Sequence, residues 1–145
     1  MAGARPTAAA ITEVTGAPAP EVDDRWIELD YGELDRRAAG DIPAEVWARW
    51  RSDPDFAPPG GESMGALAQR VQGAAEELLA ASADRTIVVV THVTPIKAVL
   101  SWAVGGIEQV GFRTRVGQPS VTRIAPGPDG PVLHSFNETP PSPPR

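Results

Sequence analysis

The chain has 145 residues, 41% of them hydrophobic and 22% charged, with no cysteine and a formal net charge of −6 at pH 7. This is the composition of one globular domain, and it excludes disulfides, thiolate metal sites and, for want of a basic stripe, nucleic-acid binding by counterion release. No apolar run approaches the ~20 residues of a membrane helix, and the N-terminus lacks the basic, apolar and small-residue regions of a signal peptide. We therefore expect a cytoplasmic protein without membrane contact.

The first elements in chain order are short and separated by irregular segments. Residues 8–14 predict a helix that Gly16 ends. Residues 21–32 are expected to run extended. Residues 33–58 predict a polar, lid-like insertion with one short helix at 43–50, and its aromatic side chains are expected to hold it to the main body, namely Trp47, Trp50 and Phe56.

Further along, the pattern predicts a helix, a strand and a second helix. Apolar residues recur every three or four positions over 64–79, which predicts a helix with one apolar face. The uncharged run 86–90 predicts a parallel strand. Thr94 has the side chain of an N-cap and Pro95 suits the first position of the following helix.

The C-terminal part predicts a hairpin and a tail. Residues 118–124 and 131–136 read as two strands joined by the Pro-Gly-Pro-Asp-Gly turn at 126–130. The Pro-rich residues 139–145 predict a disordered tail.

His92 follows the valine-rich strand directly and precedes a helix start. In α/β proteins this is where anions bind, because the carboxyl end of a strand faces the backbone N–H groups of a helix N-terminus. A histidine at a strand end is also compatible with a structural role. The position alone therefore gives a site hypothesis and no reaction.

Four features in this order resemble the histidine phosphatase (phosphoglycerate mutase-like) superfamily. They are Glu28 four residues before Gly32, the turn at 59–63 entering a helix with Arg70, Thr-His at 91–92, and Asn137 after the final strand. The segment Thr-His-Val-Thr-Pro-Ile-Lys is most similar to the C-terminal phosphatase half of actinobacterial bifunctional ribonuclease H/acid phosphatase proteins. The resemblance implies an α/β domain over 1–138, built as a three-layer α/β/α sandwich.

The resemblance also implies roles for individual residues. In the family, the histidine of an Arg-His-Gly motif attacks phosphorus without metal or cofactor, and water hydrolyses the phosphohistidine. By position, His92 would be the second, phosphate-binding histidine and Glu28 the proton donor. Substrate-binding positions would be Thr91, Val93 and Thr94, with Glu62 and Ser63 beneath the pocket.

Three other sets of polar residues receive no catalytic role. Arg70 is expected to be a surface or salt-bridge residue. His134 alternates with Val132 and Phe136 and is expected to be a core histidine. The spacing of the acidic residues does not match a calcium loop, so no metal site is predicted at Asp23, Asp24, Asp30 and Asp35.

The sequence contains no Arg-His-Gly, and its second histidine is His134. We therefore expect an N-terminally truncated and inactive portion of the domain that lacks central strands, so that the 86–90 strand loses both neighbours and is prone to aggregate. An upstream segment, a ribonuclease H-like domain or another copy of the chain would complete it. The expected reaction is phosphomonoester hydrolysis of a small phosphorylated metabolite; the alternative is a non-catalytic, vestigial or phosphate-binding module.

Overall fold

The computed structural model describes residues 3–106 and 108–141. Within these ranges the regular elements are four α-helices and one antiparallel strand pair, which are α1 Ala4–Thr15, α2 Ala44–Ser52, α3 Met64–Ala81, α4 Val93–Ala103, β1 Val121–Gly127 and β2 Gly130–Glu138. Short 3-10 turns occur at Asp24–Trp26, Gly32–Leu34, Ala39–Asp41 and Glu108–Arg113. No helix in the described ranges has the length and apolarity needed to cross a bilayer.

Helix α3 forms as its apolar spacing predicts. The Ser63 side chain caps it by accepting a hydrogen bond from the Ala66 N–H at 3.1 Å. Its buried face, made of Leu67, Val71, Ala74 and Ala75, packs against α4. The predicted N-terminal helix is also confirmed as α1, which Gly16 ends in the left-handed conformation with its N–H on the Thr12 carbonyl at 2.9 Å.

The core joins residues 33–58 to the helices. Leu29, Trp50, Leu67 and Val71 form one buried cluster, and the Trp50 side chain is only 1% exposed. Three aromatic rings surround Trp50 with centroids 5.4 to 5.8 Å away, those of Tyr31, Trp47 and Phe56. The expectation that these aromatic side chains hold residues 33–58 to the main body is confirmed, and α2 is the helix predicted at 43–50.

The segment predicted to run extended over 21–32 contains the 3-10 turn Asp24–Trp26, leads into a second one that begins at Gly32, and has no strand pairing within the described residues. It is held instead by close backbone packing. Gly32 has a φ of 53°, and a Cβ there would overlap the Pro59 carbonyl and the Gly61 nitrogen. The Glu33 N–H donates to that same Pro59 carbonyl at 3.0 Å, so the two loops lie backbone to backbone.

The parallel strand predicted at 86–90 is not formed in the part of the chain that the structure describes. There the one sheet is β1–β2, and Val88 and Val89 are 63% and 38% exposed. A β-branched run becomes a strand only where a neighbour supplies its backbone hydrogen bonds. The three layers of the expected sandwich are therefore not assembled by these residues alone.

Helix α4 begins two residues earlier than the sequence indicated. Its N-cap is His92 and not Thr94, so Pro95 is the third helical residue. Proline is tolerated there because the N–H groups of the first turn have no partner within the helix. The helix ends at Ala103, and Val104 is its C-cap.

The predicted hairpin is confirmed, with Gly127 paired to Gly130 around the turn. Its register is irregular between Val121 and Ile124, and His134 lies on the exposed side with Val132. The expectation of a core histidine is wrong because the half-buried face of this strand carries Leu133 and Ser135 instead. Of the predicted tail, residues 139–141 have no regular structure and 142–145 lie outside the described residues.

Candidate active site

The Glu28 carboxylate lies at the N-terminus of α4. Its Oε2 accepts the Thr94 N–H at 3.4 Å, and its Oε1 accepts the Leu29 N–H at 2.8 Å. Backbone N–H groups in the first turn of a helix carry partial positive charge, which favours a carboxylate there. The contact joins residues 66 positions apart in the chain and brings the proton donor expected from the sequence to α4.

His92 occupies the same helix terminus. Its backbone is extended, with φ −121° and ψ 176°, and its carbonyl accepts the first helical hydrogen bond from Ile96 at 3.1 Å. The half-buried imidazole makes no capping hydrogen bond with the helix backbone. Glu28 and His92 therefore converge on one helix end, as a site built from both requires.

The residues beside His92 have partners of their own. The Thr91 hydroxyl donates to the Trp26 carbonyl and ties α4 to the 3-10 turn before Glu28. Val93 is the first residue of α4 and is half-buried. Thr94 gives its N–H to Glu28. Their predicted substrate-binding roles stay predictions.

Tyr31 is a residue of this site that the sequence reasoning missed. Burial raises the pKa of its hydroxyl, the Thr94 side chain works against this rise, and the Glu28 charge adds to it. Its ring meets Trp50 edge to face, with centroids 5.7 Å apart and planes at 83°. The signal available beforehand was its place three residues after Glu28, within the same short segment.

Arg70 and Glu62 support the segment that carries Glu28. The Arg70 guanidinium forms a two-pronged ion pair with the Glu62 carboxylate at 2.6 and 2.7 Å. It also donates to the carbonyls of Arg25 at 2.7 Å, Ile27 at 3.0 Å and Glu28 at 3.4 Å. The salt bridge expected of Arg70 exists. Because Arg70 also contacts three carbonyls, it fixes the loop that carries Glu28 and is not a simple surface ion pair; we call this arrangement the Arg70 clamp.

The structure does not bring all predicted site residues to one place. Glu62 and Ser63 line an open recess of about 520 Å³ whose lining includes neither Glu28 nor His92. The recess also carries Asp30 and Asp55, so its charge is unfavourable for a phosphate. The Ser63 oxygen caps α3 and the Glu62 carboxylate is held by Arg70, and their predicted substrate-binding roles remain predictions.

The acidic residues considered for a metal have other contacts. The Asp23 carboxylate pairs with the Arg25 guanidinium at 2.8 Å, and this pairing lowers the pKa of Asp23. Asp30 accepts the Gly32 N–H at 2.8 Å. In the described ranges, no three acidic or histidine side chains are grouped as a metal ion requires.

The chain belongs to the histidine phosphatase superfamily (branch 1), whose family model matches residues 2–139. Its α/β fold is of the phosphoglycerate mutase-like type shared by its structural relatives.

Among curated proteins, the chain is 33% identical over 104 residues to the bifunctional protein Rv2228c of Mycobacterium tuberculosis. An uncharacterized protein of Mycobacterium bovis, Mb2253c, matches with the same identity. The match covers 70% of this chain but only 29% of either relative, so the chain spans less than a third of the curated relatives it matches.

Among solved structures, the mycobacterial glucosyl-3-phosphoglycerate phosphatase Rv2419c with inorganic phosphate is similar, with a TM-score of 0.77 and 26% identity. That likeness covers 94% of this chain and 72% of the other. The alpha-ribazole phosphatase of Shigella flexneri is similar with a TM-score of 0.72 and 20% identity. The likeness covers 93% of this chain and 68% of the phosphatase chain, and at this identity it shows the fold alone.

Proposed function

We propose that these residues form the acid-donating and phosphate-holding side of a cytoplasmic, metal-independent phosphomonoesterase that works through a phosphohistidine. Glu28 protonates the leaving oxygen and His92 binds the phosphoryl group of a small phosphorylated metabolite. Thr91, Val93 and Thr94 surround the phosphate, and Glu62 and Ser63 lie beneath the site, where they support it without touching the phosphate. The proposal depends on the contact of Glu28 with the α4 terminus, whose N-cap is His92. Family membership and the phosphatase relatives support the reaction class.

The chemistry divides between these two residues. Phosphoryl transfer spreads negative charge over three oxygens, which the N–H groups of α4 and a protonated His92 stabilise. As the P–O bond to the substrate alcohol breaks, Glu28 in its acid form gives its proton to the departing oxygen. The carboxylate that results keeps the Leu29 and Thr94 N–H groups as hydrogen-bond donors.

The attacking imidazole has to come from outside this sequence, which contains His92, His134 and no Arg-His-Gly. We propose that an added segment, upstream in the same protein or in a partner chain, supplies it and pairs with the run at 86–90. The exposure of Val88 supports an unfilled position for a neighbouring strand. So does the 72% coverage of the structural relative, a quarter of which has no counterpart here.

A non-catalytic phosphate-binding module is the second candidate. The observation that favours it is the absence of a nucleophile, while the α4 terminus retains His92 and its first-turn N–H groups. Such a module would bind phosphate or vanadate through His92 and would turn over nothing.

Hydrolysis of p-nitrophenyl phosphate tests the proposal, with the chain measured alone and joined to the segment encoded directly upstream. We expect the chain alone to be inactive and the longer protein to be active. Glu28→Gln then lowers kcat about 100-fold, as loss of a general acid does. His92→Ala lowers kcat/KM by about 100-fold or more, as loss of a charge-stabilising donor does.

Matched controls come from the same chain. His134→Ala removes the other histidine, which is exposed on β2, and Glu76→Gln removes an exposed carboxylate on α3. Both should leave kcat and KM within about twofold. If Glu28→Gln leaves the activity of the longer protein unchanged, Glu28 is not the acid. If the longer protein is inactive but binds vanadate, and His92→Ala abolishes that binding, the phosphate-binding module is favoured.

A further inference from the structure

The main chain that carries Glu28 is held by side chains and not by a neighbouring strand. Within the described residues it pairs into no sheet, so its carbonyl oxygens need other donors. The Arg70 guanidinium donates to the carbonyls of Arg25 at 2.7 Å, Ile27 at 3.0 Å and Glu28 at 3.4 Å. The Arg70 clamp thus replaces a strand partner on one side of this segment.

Thr91 holds the same segment from the other side. Its hydroxyl donates to the Trp26 carbonyl, which lies between two carbonyls that the Arg70 clamp engages. Thr91 directly precedes His92, the N-cap of α4, and the bond spans 65 positions of the chain. Two side chains therefore fix the four consecutive carbonyls of residues 25–28, and one of them ties this segment to the residue beside His92.

The Glu28 carboxylate has less support of its own. Its bond to the Thr94 N–H is long, at 3.4 Å, and is therefore weak. Its other oxygen accepts the N–H of the next residue, Leu29, at 2.8 Å and so moves together with the loop. The direction in which the carboxyl group points toward α4 consequently depends on how firmly the main chain of residues 25–28 is held.

We infer that Arg70 and Thr91 are positioning residues for the acid of this site: by holding the carbonyls of residues 25–28, they fix the direction from which the Glu28 carboxyl group meets the departing oxygen. The inference rests on the proposed role of Glu28 as the proton donor. The Thr91 hydroxyl acts through the Trp26 carbonyl, so this role is separate from the phosphate contact proposed for that residue.

A badly placed acid harms some substrates far more than others. The alkoxide that leaves β-glycerol phosphate is strongly basic and needs the proton, whereas dinitrophenolate leaves dinitrophenyl phosphate without one. The value of kcat/KM reports the steps up to cleavage of this P–O bond. Dividing kcat/KM for β-glycerol phosphate by that for dinitrophenyl phosphate therefore gives a ratio that isolates proton delivery, because any loss of folded protein affects both substrates equally.

The first experiment measures this ratio in the longer, active protein. Thr91→Val keeps the shape of the side chain and removes its hydroxyl, so the ratio should fall about tenfold, as expected for one lost hydrogen bond. Arg70→Lys should lower the ratio as well, because an ammonium group lacks the planar fork that reaches three carbonyls.

Matched controls make the same substitutions elsewhere. Thr15→Val removes a hydroxyl that donates to the Ile11 carbonyl at 2.7 Å on α1. Arg123→Lys changes an arginine that pairs with Glu138 on the hairpin. Both should leave the ratio within about twofold.

The outcomes separate this inference from the proposed function. If Glu28→Gln lowers the ratio but Thr91→Val and Arg70→Lys reduce both substrates equally, the two residues support only the fold, and the positioning role is wrong. A ratio that one variant leaves unchanged removes that residue from the role. If Glu28→Gln itself leaves the ratio unchanged, Glu28 is not the acid, and the proposed function fails.

The second experiment needs no turnover. Amide hydrogen exchange of the intact chain, followed by NMR, reports on the Leu29 N–H, which donates to the Glu28 carboxylate. In Thr91→Val this amide should exchange about tenfold faster relative to the amide of Val71, which is buried in α3. If the Leu29 and Val71 amides accelerate equally, or neither does, Thr91 does not hold the acid in place, and the inference is overturned for that residue.

Discussion

Arg70 and Glu62 face each other with both prongs engaged, Nε to Oε1 at 2.6 Å and Nη2 to Oε2 at 2.7 Å, and each side chain is 19% exposed. The remaining nitrogen of the guanidinium reaches the carbonyls of Arg25 and Ile27. One side chain of α3 therefore holds the loop from which Glu28 projects.

Removing Arg70 should destabilise the fold strongly. Arg70→Ala leaves the Glu62 carboxylate sheltered without its partner and frees the loop carbonyls, at an expected cost of about 3 kcal/mol in the free energy of unfolding. Arg70→Lys keeps the charge but loses the planar fork, so its free energy of unfolding should lie between those of the unmodified chain and of Arg70→Ala. Urea unfolding followed by circular dichroism measures both.

The matched control for Arg70 is Arg123→Ala on the hairpin. Arg123 pairs with Glu138 at 3.2 Å, but the two side chains are 63% and 44% exposed. Its loss should cost no more than about 0.5 kcal/mol. If Arg70→Ala and Arg123→Ala lower the free energy of unfolding equally, Arg70 does not hold the loop as proposed.

Glycine at position 32 should be irreplaceable. Gly32→Ala combines a positive φ with overlap of its new methyl group on the Pro59 and Gly61 backbone, at an expected cost of about 3 kcal/mol. Gly73→Ala is the counterpart in α3, where a Cβ meets nothing within 4 Å, and should stabilise by about 0.5–1 kcal/mol. Opposite signs in urea unfolding are the expected result; a tolerated Gly32→Ala argues against the close loop packing.

The Arg25 pairs should make stability depend on pH in the acid range. Arg25 lowers the pKa of Asp23 below 3.8 and that of Glu77 below 4.5. Folded-state pKa values below the unfolded ones stabilise the fold fully above about pH 4.5, and this stabilisation is lost as pH falls through the lowered values.

Arg25→Gln should therefore narrow the stability difference between neutral and acid pH. Unfolding curves of both proteins, measured from pH 7 downward, should converge at the acid end. A constant gap at every pH means that Arg25 acts by packing and not through these carboxylates.

The exposed valine run should govern association. Val88→Lys places a charge on the run that lacks a strand partner and should shift the chain toward monomer in size-exclusion chromatography with light scattering. Val14→Lys is the control, because Val14 is 86% exposed on α1 but outside the β-branched run. Equal effects of the two lysines indicate general solubility and not strand pairing.

Local patterns predicted local structure well. The spacing of Leu67 and Val71 was sufficient for α3, and the Pro-Gly-Pro-Asp-Gly turn was sufficient for the hairpin. The sequence predicts Thr94 as the N-cap of α4, but the N-cap is His92, because Pro95 fits any position of a first turn. It also predicts the wrong half-buried side of β2, in a hairpin whose register is irregular.

Non-local contacts were beyond the sequence pattern. Arg70 meets Arg25 across 45 positions, and Thr94 meets Glu28 across 66. Neither pair has a spacing rule, so the clamp and the contact of Glu28 with α4 are visible only in three dimensions. The 86–90 run has strand composition without strand pairing, since pairing depends on a second segment that composition does not describe.

Arg70 recognises carbonyl oxygens, which every amino acid possesses. A saturation library should therefore accept many residue types at Ile27, whose contribution to the clamp is a main-chain atom. Position 70 should tolerate almost none, since no other side chain has a guanidinium. Positions 27 and 70 would thus differ sharply in the substitutions that they tolerate, although one hydrogen bond joins them. A family alignment that ranks positions by variability alone would find Arg70 and overlook Ile27.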